Sequence, residues 1–323
     1  MVLFQRKIIY MGYVPPSART EEIGQVITPS KHIDCEEVQL KGERNTTLHG
    51  LLIQRKINAP KARTVKSVIV YLQGNAGNPI GRIPIFERLL LGTSLSGRQP
   101  QTDSLHDAAV LAVAPRSYWK SSSRRPTEKR IISDYTSAIS YAAHRFPSAS
   151  IILYGHSLGG AAAVCLSAQA KAEAFPTVRG LILENPFASI PGMVEALYPQ
   201  KWLPYHYLGR FALDRWDALS AMRHIPPGSL LQRLVSKTTV ILSEKDEIVP
   251  NAMGLALYKA STASLSAPST QEQETCGRRR LVIIDGALHE DAWQRRKWRT
   301  AMCEYIAAVD ASEAGAAQAA SRE

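Results

Sequence analysis

Gly155-His156-Ser157-Leu158-Gly159 sets a serine between two glycines, each two residues away. The spacing fits a nucleophile elbow: a sharp strand-to-helix turn holds the hydroxyl clear of the backbone, and the side-chain-free neighbours relieve the crowding. A glycine turn without chemistry is the alternative. A hydroxyl is a weak nucleophile at neutral pH, so it needs an imidazole as base and a carboxylate to orient that imidazole. In hydrolases built on such an elbow the chain order is serine, acid, histidine. Asp246 and His289 satisfy that order, each just after a predicted strand. Glu184 also follows a strand and rivals Asp246, while Glu244, Glu247 and Asp285 are weaker candidates. His156 lies too close to the serine in sequence to turn back on it as base, so we read it as packing at the elbow.

Acyl transfer also needs donors for the oxyanion that forms on attack. Gln73-Gly74-Asn75-Ala76-Gly77-Asn78 follows an apolar strand and could supply one through the backbone N–H of Asn75, with the N–H of Leu158 as the second. A plain asparagine-capped turn is the alternative for that loop. Metal chemistry is not expected. The four cysteines, Cys35, Cys165, Cys276 and Cys303, are far apart, and His289-Glu290 does not extend to H-E-x-x-H because Trp293 stands where the second histidine belongs. We read the Glu290-Asp291 pair as a cap on the last helix.

These residues need a frame. Ile33 to Leu40 and Thr47 to Gln54 read as an antiparallel edge hairpin. Ser67–Leu72, Ala109–Val113, the run ending at the elbow, Val178–Glu184, Thr238–Ser243 and Leu281–Asp285 read as buried strands, apolar nearly throughout. Helical stretches separate them; Ile132, Tyr135, Ile139 and Ala143 mark the stripe of one from Lys129 to Phe146. The pattern predicts a doubly wound, mostly parallel α/β sheet with its site at the C-terminal ends of the strands. We expect an N-terminal arm over 1–30, one domain over 31–306, and a disordered alanine-rich tail over 307–323. Gly92 to Asp107 and Ser261 to Gly277 read as surface insertions. The segment of about 186–237 reads as a helical cap after the sixth strand, rich enough in aromatics to line an apolar pocket. Phe187, Trp202 and Tyr205 are its pocket candidates, with Trp119 from the loop after the fourth strand.

The 323 residues carry a net charge of +11, with 45% hydrophobic residues and a mean hydropathy of −0.14. No apolar run approaches the roughly 20 residues that span a bilayer, and the first residues lack an apolar core of signal-peptide length. Basic clusters such as Arg278-Arg279-Arg280 and Arg295-Arg296-Lys297 lack the aromatic interleaving of nucleic-acid modules, so no nucleic-acid partner is expected. The same clusters suit peripheral contact with an anionic membrane. Cysteine usage favours an intracellular compartment.

The chain resembles the α/β-hydrolase superfamily, and within it the Bem46-like branch of serine hydrolases. The matching pieces are Leu72 to Asn78 against that branch's H-G-N-A-G-N, Gly155 to Gly160, Leu183-Glu184-Asn185-Pro186-Phe187, and Glu244 to Pro250 with the acid. The resemblance implies the α/β-hydrolase fold and hydrolysis of a carboxylic ester or thioester, of a lipid, S-acyl or small substrate. It implies an acyl-enzyme on Ser157, His289 and Asp246, and neither a metal nor an organic cofactor. A serine aminopeptidase-like activity and a non-catalytic scaffold are the alternatives. The scaffold is favoured by departures from the branch. Gln73 replaces a histidine, Arg116-Ser117-Tyr118-Trp119 replaces R-G-Y-G, and Ala287-Leu288 precede His289 where glycine is usual.

Overall fold

The sheet begins with the predicted hairpin. A computed structural model describes residues 5–56, 64–92, 105–263 and 279–320, except the side chains of Tyr205 and of residues 313–320. Strands β1 (Ile33–Lys41) and β2 (Thr47–Arg55) pair antiparallel, and β2 pairs antiparallel with β4 (Ala108–Ala114). Every remaining pairing is parallel, through β3 (Ser67–Leu72), β5 (Ser150–His156), β6 (Val178–Glu184), β7 (Thr238–Ser243) and β8 (Arg280–Ile284). The order across the sheet is β1-β2-β4-β3-β5-β6-β7-β8. Strands β3, β4, β5 and β7 are buried at every residue, as apolar runs covered on both faces should be. The insertions predicted around 92–107 and 261–277 lie for the most part outside the described residues.

Helices α2 (Ile83–Leu91), α3 (Glu128–Arg145), α4 (Leu158–Gln169) and α8 (Asn251–Ala263) alternate with the strands. Thr127 caps α3 by accepting a bond from the Arg130 N–H, satisfying a donor that the helix cannot. Helix α4 is buried from Leu158 to Ser167, and its Gly-Gly-Ala-Ala-Ala start permits close approach to the sheet.

Both ends of the chain bury residues against the sheet domain. The N-terminal arm opens with α1 (Gln5–Ile9), which buries Ile9 and is joined to the cap segment by Arg6 Nε to Asp214 at 2.7 Å. The last helix, here α9, runs Arg296–Ala320, past the boundary expected at residue 307. Its buried stripe is Trp298, Met302, Tyr305 and Val309, spaced at helical intervals, and Asp310 accepts a bond from Ser67 at the start of β3. Those contacts offset the weak apolar character of the alanine-rich end. Neither Glu290 nor Asp291 caps this helix: Glu290 pairs with Arg82, and Asp291 accepts the Leu288 N–H at 2.7 Å. Among the described residues no helix is long and apolar enough to cross a membrane.

The cap segment contains α5 (Ile190–Leu197), a short 3-10 stretch (Pro204–Phe211), α6 (Ala218–Arg223) and α7 (Leu230–Leu234). Its aromatics divide between core and solvent: Phe187 and Trp216 are buried, whereas Trp202 is 80% exposed and Tyr207 and Phe211 are exposed too.

Candidate active site

Strand β5 delivers Ser157 into the turn before α4 with φ 53° and ψ −118°, a left-handed φ that only a held residue adopts. The glycines permit it. An ideal Cβ on Gly155 would lie 2.3 Å from the Gly159 carbonyl oxygen, and one on Gly159 would lie 1.9 Å from that of Leu72. The elbow is therefore pressed against the end of β3, and Ser157 N–H donates to the Glu184 carbonyl of β6 at 2.9 Å.

Asp246 and His289 come together from the loops after β7 and β8. His289 Nδ1 donates to Asp246 Oδ2 at 2.7 Å, with 3% and 1% of the two side chains exposed. The second oxygen, Asp246 Oδ1, accepts the N–H groups of Ile248 and Val249 at 2.9 and 2.7 Å, which fixes the carboxylate. With Nδ1 donating, Nε2 is left as the basic nitrogen. Among the described residues no hydrogen bond joins it to Ser157 Oγ. The His289 carbonyl is held by two donors, Asn185 Nδ2 at 2.9 Å and His156 Nε2 at 3.1 Å. Asn185 also exchanges bonds with Ser243 at the end of β7, so one side chain ties three loops together.

The rival acid has other partners. Glu184 Oε2 accepts from Tyr154 Oη and from Trp298 Nε1, and burial holds its pKa above the usual carboxylate range. His156 stacks obliquely on His289, with ring centroids 5.0 Å apart, and burial pushes its pKa down to about 4.

The loop after β3 lies over the elbow: a Cβ on Gly74 would sit 3.7 Å from Ser157 Cβ. The Asn75 carbonyl accepts from Met11 N–H at 2.6 Å and from Tyr118 Oη at 2.9 Å. Among the described residues neither the Asn75 N–H nor the Leu158 N–H is taken up by an internal hydrogen bond. Beside them is a small, partly open pocket lined by Tyr10, Gln73, Gly74, Tyr118, Tyr135 and Leu158, with a cavity volume of about 10 Å³. That is close to the space for one water molecule.

The expected pocket residues lie elsewhere. Trp119 is buried, with its indole N–H on the Glu21 carbonyl at 2.9 Å, under the N-terminal arm. Phe187 is packed into the core, Trp202 faces solvent, and the side chain of Tyr205 lies outside the described residues. The pocket's tyrosines come from three distant stretches, and no motif or periodicity in the sequence announces them. Asn185, by contrast, sits in a strand-end motif that could have been weighed for a positioning role.

This sheet order, with an antiparallel N-terminal edge and a serine at the turn after the fifth strand, is that of the α/β-hydrolase fold. In sequence the chain is similar to a Bem46 protein. It is 25% identical over 280 residues to the protein bem46 of Schizosaccharomyces pombe, spanning 84% of this chain and 81% of that one. No protein-family model matches it. Among solved structures it is similar to an esterase of Pyrococcus furiosus, at TM-score 0.57 and 16% identity over 85% of this chain and 92% of that one. It is likewise similar to carboxyl esterase 2 of Tuber melanosporum, at TM-score 0.58 and 15% identity over 95% and 96% of the two chains. At such identities the likeness is one of fold.

Proposed function

We propose that this protein is a serine hydrolase that cleaves a carboxylic ester or thioester through an acyl-enzyme. The observation that carries the reading is the buried Asp246–His289 bond on loops that converge with the strained serine turn. His289 Nε2 takes the proton from Ser157 Oγ as the hydroxyl oxygen attacks the acyl carbon, and Asp246 stabilises the imidazolium that results. The N–H groups of Asn75 and Leu158 receive the charge on the carbonyl oxygen. His289 then returns the proton to the leaving alcohol or thiol, and water hydrolyses the acyl-enzyme by the same steps. The names of the structural neighbours, an esterase and a carboxyl esterase, point the same way.

Contact with an anionic membrane is part of the same reading. Exposed Ile8, Tyr13, Phe211 and Leu213 lie on two segments joined by Gln5, with Arg210 stacked on Tyr207 beside them.

A fluorophosphonate probe tests the chemistry. The wild-type protein is expected to label and Ser157→Ala is not; a folded wild type that takes no label sinks the proposal, and label retained by Ser157→Ala moves the nucleophile elsewhere.

A further inference from the structure

Among the described residues one group of metal-ligating side chains gathers at the proposed active site. One ligand atom each from His156, His289 and Glu290 lies within 4.8 Å of the other two. A second observation points to what the group lacks. His156 is 4% exposed, its Nε2 donates to the His289 carbonyl, and its Nδ1 is buried without any hydrogen-bond partner. In that tautomer Nδ1 carries a free lone pair, and an unpaired buried acceptor is costly. His289 has the complementary arrangement, with Nδ1 bound to Asp246 and Nε2 free.

We propose that His156 Nδ1, His289 Nε2 and Glu290 form a binding site for a divalent zinc-like cation, and that the ion switches the hydrolase off. Two imidazoles and one carboxylate suit Zn²⁺, with a fourth position left for water. The Asp246 carboxylate behind His289 supplies the outer contact that orients a ligating imidazole. Tetrahedral ligands with Zn–N bonds of about 2.1 Å stand about 3.4 Å apart, so the group must draw in at its widest. Glu290, half exposed and on a loop, can move and gives the ion its way in. Arg82 holds its Oε2 closely, but Oε1 only at 3.3 Å, and Oε1 is the oxygen that can turn to the metal. The second histidine missing from an H-E-x-x-H run comes instead from the elbow, 133 residues away. Inhibition rests on the hydrolase reading, because the bound ion takes the lone pair that would accept the Ser157 proton; binding does not.

The test uses the full chain stripped with EDTA. Cobalt titration is expected to give one tetrahedral ion per chain, displaced by zinc, with affinity at least about tenfold weaker in Glu290→Gln and in His156→Gln. Circular dichroism checks that both variants fold. Zinc is expected to slow fluorophosphonate labelling of the wild type, EDTA to restore it, and Glu290→Gln to label in zinc as fast as it does without metal. No stoichiometric binding, or binding equal in both folded variants, overturns the site. Zinc bound at the site with labelling unchanged overturns the switch. If the metal-free wild type does not label, the hydrolase reading falls, while the cobalt result still decides the site.

Discussion

Substituting Gly159 by alanine should separate the elbow from the loop proposed to hold the oxyanion. An ideal Cβ there would lie 1.9 Å from the Leu72 carbonyl oxygen, 2.5 Å from its carbon and 2.7 Å from the Gln73 oxygen. Real Cβ contacts do not fall below 3.0 Å, so the end of β3 and the start of α4 must part by about 1.1 Å. All three atoms are backbone, so no flexible side chain can absorb the shift. Asn75 follows this stretch directly, and Leu158 adjoins the substituted residue, so the two proposed donors move relative to each other. Misplacement of about 1 Å can cost about a hundredfold in rate, and overpacking of this kind costs about 1–3 kcal/mol of stability. Fluorophosphonate labelling rate and urea unfolding measure the two effects separately. Gly81→Ala is the control, because a Cβ at Gly81 meets nothing within 4 Å. Wild-type labelling by Gly159→Ala would refute the reasoning, as would an equal loss in Gly81→Ala.

The acid is decided by paired substitutions. Asp246→Asn should lose most turnover of a chromogenic ester while Glu184→Gln keeps it, and equal activity of Asp246→Asn and wild type removes Asp246 from the role. Glu184→Gln should also change the pH dependence of stability. Burial raises the folded-state pKa of Glu184, so its contribution is fully present below the unfolded carboxylate value and is lost as pH rises through the raised one. The glutamine keeps an oxygen for Tyr154 and Trp298 without the buried charge; its melting temperature should match or exceed wild type at pH 8 and lose that advantage toward pH 4. A constant difference across that range counts against the argument. Ending the chain at Ile306 removes buried Val309 and the Asp310–Ser67 bond, and should cost about 2 kcal/mol or more in urea unfolding; an unchanged midpoint would return that segment to the role of a loose tail.

What was legible in the sequence follows burial. Strands β3, β4, β5 and β7 are covered on both faces, so their residues are apolar without alternation and their limits are visible to within a residue or so. That Asp246 and His289 could meet was legible because both follow strands whose C-terminal ends lie side by side in this fold. The tyrosine pocket was not, because Tyr10, Tyr118 and Tyr135 meet only when the N-terminal arm folds back over the β3 loop. Nor was the direction of the cap aromatics: a list of large rings does not say whether they face the sheet or solvent, and Trp202 and Phe211 face solvent. The end of α9 was missed because its alanines hide a stripe that Val309 continues.

The loop after β4 shows why departures from a family pattern need a structure before they count against function. Where the Bem46-like pattern has glycines, Ser117 and Trp119 keep left-handed backbones, at φ 67° and 38°. A residue with a Cβ there costs on the order of 1–3 kcal/mol, so the surroundings must impose the conformation. They do so from three sides. Arg116 is locked to buried Asp134 by its backbone N–H and two guanidinium bonds, Trp119 is wholly buried with its indole bonded to Glu21, and Gly12 of the arm packs so close to Ser117 and Tyr118 that a Cβ would fall 2.5 Å from the Ser117 oxygen. The residue held between the two strained positions is Tyr118, and its hydroxyl donates to the Asn75 carbonyl. The residues standing in place of those glycines therefore hold the left-handed backbone that glycine favours, and the loop so formed supports the very segment from which the oxyanion donor is proposed to come. The replacement of glycine at these two positions is thus no argument for a scaffold without chemistry; the case for one has to rest on the serine failing to label.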